Sequence, residues 1–272
     1  MPESAASARF LSEREKLIAI ERLRDNRTGL KTTQFKKYQV IEALTDPQCW
    51  MIALWNGVGM ILNIGGSFLP IIIEDMGFTG ITTTLLTLPV GGVECVAMLV
   101  AGLLASTFRN GRTLIMFLVC CPTLAGTVIL NVAPQSSTWL RCAGVWLLLC
   151  VPASYALLLS LISSNVAGTT KKATTTLMSF VLFCVGNVVG PQLWRAHEAP
   201  RYQTALRSMT VSMCLIQFLN LALGAYYYFE NKRRDKMVAA MQGGQSAIEE
   251  IHNEEYFGRT DREDWMKFRY RW

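Results

Sequence analysis

Only one acidic residue, Glu94, lies inside an apolar run of this 272-residue sequence. A carboxylate at membrane depth is costly unless it is paired or protonated, so such residues usually face a cavity. Glu94 is therefore a candidate for carrying a proton or pairing with a cation. The plainer alternative is a carboxyl held by neighbouring hydroxyls to fix packing. Other isolated polar residues stand on similar runs. Asn56 and Asn63 are seven apart, about 20° off the same face of a helix. Thr87, Gly91 and Glu94 form a stripe beside Pro89, and Asn187 lies in Gly186-Asn187-Val188-Val189-Gly190-Pro191. Gln217, Asn220 and Gly224 form another stripe. Such groups either contact a solute or hydrogen-bond between helices, the latter being common and worth about 1 kcal/mol. Asn56, Asn63 and Asn187 are the candidate solute contacts, Glu94 the candidate proton-coupling group. Gln217 and Asn220 fit packing better.

Catalytic chemistry finds little support. There is no Gly-x-Ser-x-Gly elbow, His-Glu-x-x-His pair, P-loop or pair of intramembrane aspartates, and His197 and His252 are the only histidines. The eight cysteines include no CxxC and no zinc-like spacing with histidine. They read as small hydrophobes in or beside apolar runs. No enzyme activity, metal or cofactor is expected.

The elements that position these residues follow from charge and hydropathy. Residues 1–47 hold 9 basic and 7 acidic side chains and residues 230–272 hold 9 and 9, whereas the middle 182 residues hold 8 and 4. A soluble domain of that size could not cover its surface with so few charges. Interleaved acids leave no basic stripe for nucleic acid. Six runs, 52–73, 81–105, 113–133, 140–161, 174–194 and 208–229, are long enough to cross the hydrocarbon layer as helices. Their lack of two-residue alternation argues against barrel strands. The expectation is an all-α membrane protein: a segment over 1–47, a six-helix bundle over 48–229 and a tail over 230–272.

Lys and Arg mark cytoplasmic loops. Arg109 and Arg112, Lys171 and Lys172, and the run Lys232, Arg233, Arg234 and Lys236 put both ends of the chain on the cytoplasmic side. The loop with Arg195, Arg201 and Arg207 dissents. Ser12 and Glu15 form a capping box for an amphipathic helix that Gly29 ends. Asp46-Pro47 reads as the cap and first-turn proline of the first span. A helix over 231–252, interrupted at Gly243-Gly244, is expected after the last span. The charged, aromatic stretch 261–272 reads as a loop that docks on something.

Several stretches together resemble one family. Ala8-Arg9-Phe10-Leu11-Ser12-Glu13-Arg14-Glu15, Glu21-Arg22-Leu23-Arg24-Asp25-Asn26 and Thr28-Gly29 are similar to the central loop of fungal allantoate permeases, the anion:cation symporters of the major facilitator superfamily. Lys37-Tyr38-Gln39 to Asp46-Pro47 fits the lead into that family's seventh helix. Gly186-Asn187-Val188-Val189-Gly190-Pro191-Gln192 with Ala199-Pro200-Arg201-Tyr202 resembles its eleventh helix and the loop after it. The stretch from Asp261-Arg262-Glu263 to Phe268-Arg269-Tyr270 resembles its tail.

The resemblance implies that the six spans are helices 7–12 of a twelve-helix fold. It implies proton-coupled uptake of a small organic anion or vitamin-like solute, in a bilayer and by analogy the plasma membrane. It places Asn56, Asn63, Glu94 and Asn187 on cavity-lining helices. It also implies a gating loop, here containing Ser106, Arg109 and Arg112, but Ser106 and Thr107 stand where the superfamily usually has Asp and Arg. Alternating access needs two bundles around a shared site. A missing N-terminal half or a second copy is therefore an expected partner. The alternative is a truncated, non-transporting membrane fragment acting as an interaction or sensing module.

Overall fold

The structure is a computed structural model. It describes residues 12, 14, 15, 35–108, 110–199, 201–241 and 259–272, without the side chains of residues 63–67, 196 and 241. Over residues 35–241 the described residues form, in order, α1 (Lys37–Thr45), α2 (Pro47–Glu74), α3 (Ile81–Thr107), α4 (Arg112–Val132), α5 (Thr138–Leu147), α6 (Val151–Asn165), α7 (Thr169–Gln192) and α8 (Gln203–Met241). Among the described residues there is no strand.

Among the described residues, five helical stretches are long and apolar enough to cross a membrane: α3, α4, α5 with α6, α7 and α8. The remaining expected span is α2, whose 28 residues reach about 42 Å. The Asp46 carboxylate accepts from the Gln48 amide with Pro47 in the first turn, as the cap signature predicts. Ser12 and Glu15 close the expected capping box, each satisfying the other's backbone N–H. The amphipathic helix beyond it lies outside the described residues.

Three sequence expectations shift. α8 continues unbroken through 230, so the last span and the start of the tail are one 39-residue helix; the expected interruption at Gly243-Gly244 lies outside the described residues. Lys171 and Lys172 are not loop cations but sit in the first turn of α7. The connection before them is short because Gly168, at φ +87°, makes a turn few other residues adopt. The span over 140–161 is broken in its middle, where Leu148–Cys150 form a tight turn and Leu149 leaves helical geometry at φ −97°, ψ 41°. Pro152 causes the break, since it has no N–H to give the Leu148 carbonyl.

Helix packing sets the frame. α2 lies most extensively against α7, with α8 on another side; α4 lies against α8, α5 and α6; α3 rests on α6 and the 148–150 turn. The α2–α7 crossing is closed by glycines. A Cβ at Gly186 would stand 2.1 Å from the Gly57 carbonyl oxygen, so only hydrogen fits there. Small residues let helix backbones approach this closely where lipid supplies no hydrophobic drive between them. Trp55 fills the interior and gives its indole N–H to the Asn220 side chain at 2.9 Å. The starts of α2, α4 and α7 and the ends of α3, α6 and α8 meet at one end of the bundle, where residues 259–272 also lie.

Candidate functional site

Helix by helix, the bundle is unevenly covered. The most apolar stretch of α3 is 11% buried and that of α7 22%, against 44% or more for α4, α5–α6 and α8. The two least covered of these stretches, α3 and α7, carry Glu94 and Asn187. Glu94 is half-buried and makes no hydrogen bond or ion pair among the described residues. Gly91 and Gly92 beside it have open space where a Cβ would be. α3 is held from behind by the Trp146 indole N–H, which donates to the Leu86 carbonyl at 2.9 Å. The 148–150 break packs against the same helix, so an interrupted span and an unpaired carboxylate adjoin.

The other candidates are placed differently. Asn56 is buried, and one of its amide N–H groups donates to the Ile52 carbonyl of its own helix at 3.2 Å. Asn63 lies two turns further along α2, its side chain outside the described residues. Asn187 is half-buried and donates to the Phe183 carbonyl at 2.9 Å. The structure therefore puts Glu94 and Asn187 on open helices, each touching α2, while Asn56 points inward. Gln217 and Asn220 are engaged within the bundle: Asn220 takes the Trp55 indole, and Gln217 donates to the Phe117 carbonyl at 3.1 Å.

In the expected gating loop, the Ser106 and Thr107 hydroxyls both donate to the Leu103 carbonyl, ending α3. Arg109 lies outside the described residues. Arg112 is committed to the bundle: its guanidinium donates to the Ser160 hydroxyl at 2.9 Å and the Ser164 hydroxyl at 3.3 Å, and its backbone N–H donates to the Trp272 carbonyl.

That end of the bundle holds a charge cluster that the sequence did not reveal. Lys171 is fully buried, its Nζ 2.7 Å from Asp46, 2.7 Å from Asp261 and 3.0 Å from Glu42. The Tyr270 hydroxyl donates to Asp261 at 2.5 Å. Arg234, also buried, donates to the Asp261 and Phe268 carbonyls, the Tyr270 hydroxyl and Glu230. Asn165 takes the Arg271 N–H and donates back to its carbonyl. Burial pushes the Asp46 carboxyl up, but Lys171, Gln48 and Arg262 outweigh it and hold Asp46 below the usual carboxylate range. Burial and Asp261 push the Tyr270 phenol well up. The cluster joins α1, α2, α7, α8 and the tail. Its only sequence signals were the Asp46-Pro47 cap and the charged, aromatic tail, separated from Lys171 by some ninety residues or more on either side.

The sequence matches the Major Facilitator Superfamily over residues 4–191. It is 47% identical over 272 residues to an uncharacterized transporter of Schizosaccharomyces pombe, covering 100% of this chain and 51% of that one. It is 36% identical over 279 residues to the allantoate permease of Saccharomyces cerevisiae, covering 99% of this chain and 50% of the permease. A thiamine pathway transporter of the same yeast is 30% identical over 238 residues, with 87% and 45% covered. The chain spans about half the length of the curated relatives it matches.

Proposed function

This chain belongs to the Major Facilitator Superfamily, and from that premise we propose that its spans are the C-terminal six helices of a transporter. Its family and its apolar helices make it a multi-pass membrane protein of a transporter rather than an enzyme. The proposed activity is proton-coupled uptake of a small organic anion or vitamin-like solute by alternating access. The similarity to an allantoate permease and a thiamine pathway transporter supports that solute class. The partner is an N-terminal six-helix half, or a second copy, closing over the face of α3 and α7. The basic residues at the tail-side end support a plasma-membrane orientation with that end cytoplasmic.

The observation that carries this reading is Glu94: an unpaired carboxylate on a thinly covered helix, beside glycines that leave open space and next to a broken span. Unpaired intramembrane acids and discontinuous helices recur where transporters bind solute and coupling ions. Asn187 on α7 is the leading solute contact, with Asn63 second. Asn56 acts through packing.

The test replaces the matching segment of the yeast allantoate permease with this chain and assays allantoate movement in proteoliposomes. Glu94→Gln is expected to abolish accumulation driven by a pH gradient and to spare allantoate counterflow exchange. Accumulation undiminished by that substitution would overturn the coupling role.

A further inference from the structure

Where α8 leaves the membrane, a cavity of about 370 Å³ opens between that helix and the tail. It has no part in the transport reading. Its lining includes three arginines, Arg233, Arg234 and Arg262, against one acid, Glu230, with Tyr226 and Trp265 as aromatic walls. Arg234 is buried and spends its donors on the charge cluster. The other two are open. The Arg233 side chain is 66% exposed and uses Nε and one terminal nitrogen on Glu230. Arg262 is 40% exposed, and its one ion pair among the described residues is with Asp46 at 3.3 Å. A guanidinium has five N–H donors, so both forks keep donors to spend.

We propose that this cavity binds a phosphate-bearing anion, gripped by Arg233 from α8 and Arg262 from the tail. Phosphate suits the site better than carboxylate. Its oxygens can accept from two guanidinium forks at once, whereas Arg233 already has a carboxylate in Glu230. The position suits a lipid headgroup, because basic residues directly beyond a membrane helix lie at the depth of lipid phosphates. A soluble phosphate ester presents the same chemistry. Since the two forks come from separate segments, the bound anion ties the tail to α8.

The experiment follows the thermal unfolding midpoint of the whole chain in detergent. The probes are short-chain phosphatidylinositol phosphate, soluble inositol phosphate and inorganic phosphate, with short-chain phosphatidylcholine as the zwitterionic control. At least one phosphate-bearing anion is expected to raise the midpoint. An effect of the lipid alone assigns the site to a headgroup; an effect of the soluble probes assigns it to a free phosphate. Arg233→Gln, at an exposed position, is expected to weaken the response about tenfold. Arg233→Lys, keeping the charge but losing the fork, should fall between. Lys236→Gln, on the same helix outside the cavity, should match the unaltered chain. No shift with any probe, or an equal response after Arg233→Gln, would overturn the proposal.

Discussion

Lys171 is the residue on which most depends. Its ammonium is fully buried with three carboxylates around it, two of them without exposed surface. Removing one partner of a buried ion pair leaves the others desolvated and uncompensated, at a cost of about 3–5 kcal/mol. Lys171→Met should therefore lower the thermal midpoint sharply, and adding Asp261→Asn should restore part of the loss. An unchanged midpoint would mean that the buried ion pairs of Lys171 add nothing to stability. The pH dependence has a definite sign. The folded-state pKa of Asp46 is depressed, so its contribution is fully present above the unfolded value near 3.9 and is lost as pH falls through the lower folded one. Resistance of the tail to protease should persist at pH 5 and fail only under stronger acid, below about pH 4.

At the scale of elements, glycines separate a tight crossing from an open face. Gly186→Ala puts a methyl against the Gly57 carbonyl and should destabilise by about 1–3 kcal/mol or more. Gly91→Ala meets nothing within 4 Å and should be neutral or stabilise by up to about 1 kcal/mol, the helix propensity gain. Thermal unfolding of both variants checks the contrast; equal losses would mean that α2 and α7 do not cross at Gly186. The spans were legible because hydropathy over some twenty residues carries its own signal, and the cap at Asp46-Pro47 is local chemistry. The faces were not legible. Periodicity groups Asn56 with Asn63 but does not say which side of α2 meets α7, and Asn56 proves to lie inside. Lys171 resembled a loop cation because its helix is started by Gln39, from α1, whose side-chain oxygen accepts the Thr170 and Lys171 N–H groups. A cap supplied from more than a hundred residues away leaves no local pattern. The break at 148–150 had a visible cause in Pro152, but prolines inside α2, α3, α4 and α7 leave those helices continuous.

For the whole molecule, the tail is part of the bundle. Removing residues 259–272 takes Asp261 from Lys171, Tyr270 from Arg234 and the Trp272 carbonyl from the start of α4. The truncated chain should unfold at a lower temperature than the intact one, and a separately supplied peptide of the same residues should recover part of the difference. The unbroken α8 carries a mechanical consequence. Its 39 residues extend about 58 Å, nearly twice the thickness of the hydrocarbon layer. It is therefore a lever: a rotation of about 5° around its midpoint moves Asn231 and Arg234 by about 1–2 Å, enough to strain the bonds that hold the tail. The tail is fastened to that lever by Asn231 and Arg234, and to α7 by Lys171. Rocking of α8 against α7 accordingly strains the tail's attachments, making it a strain gauge for the bundle.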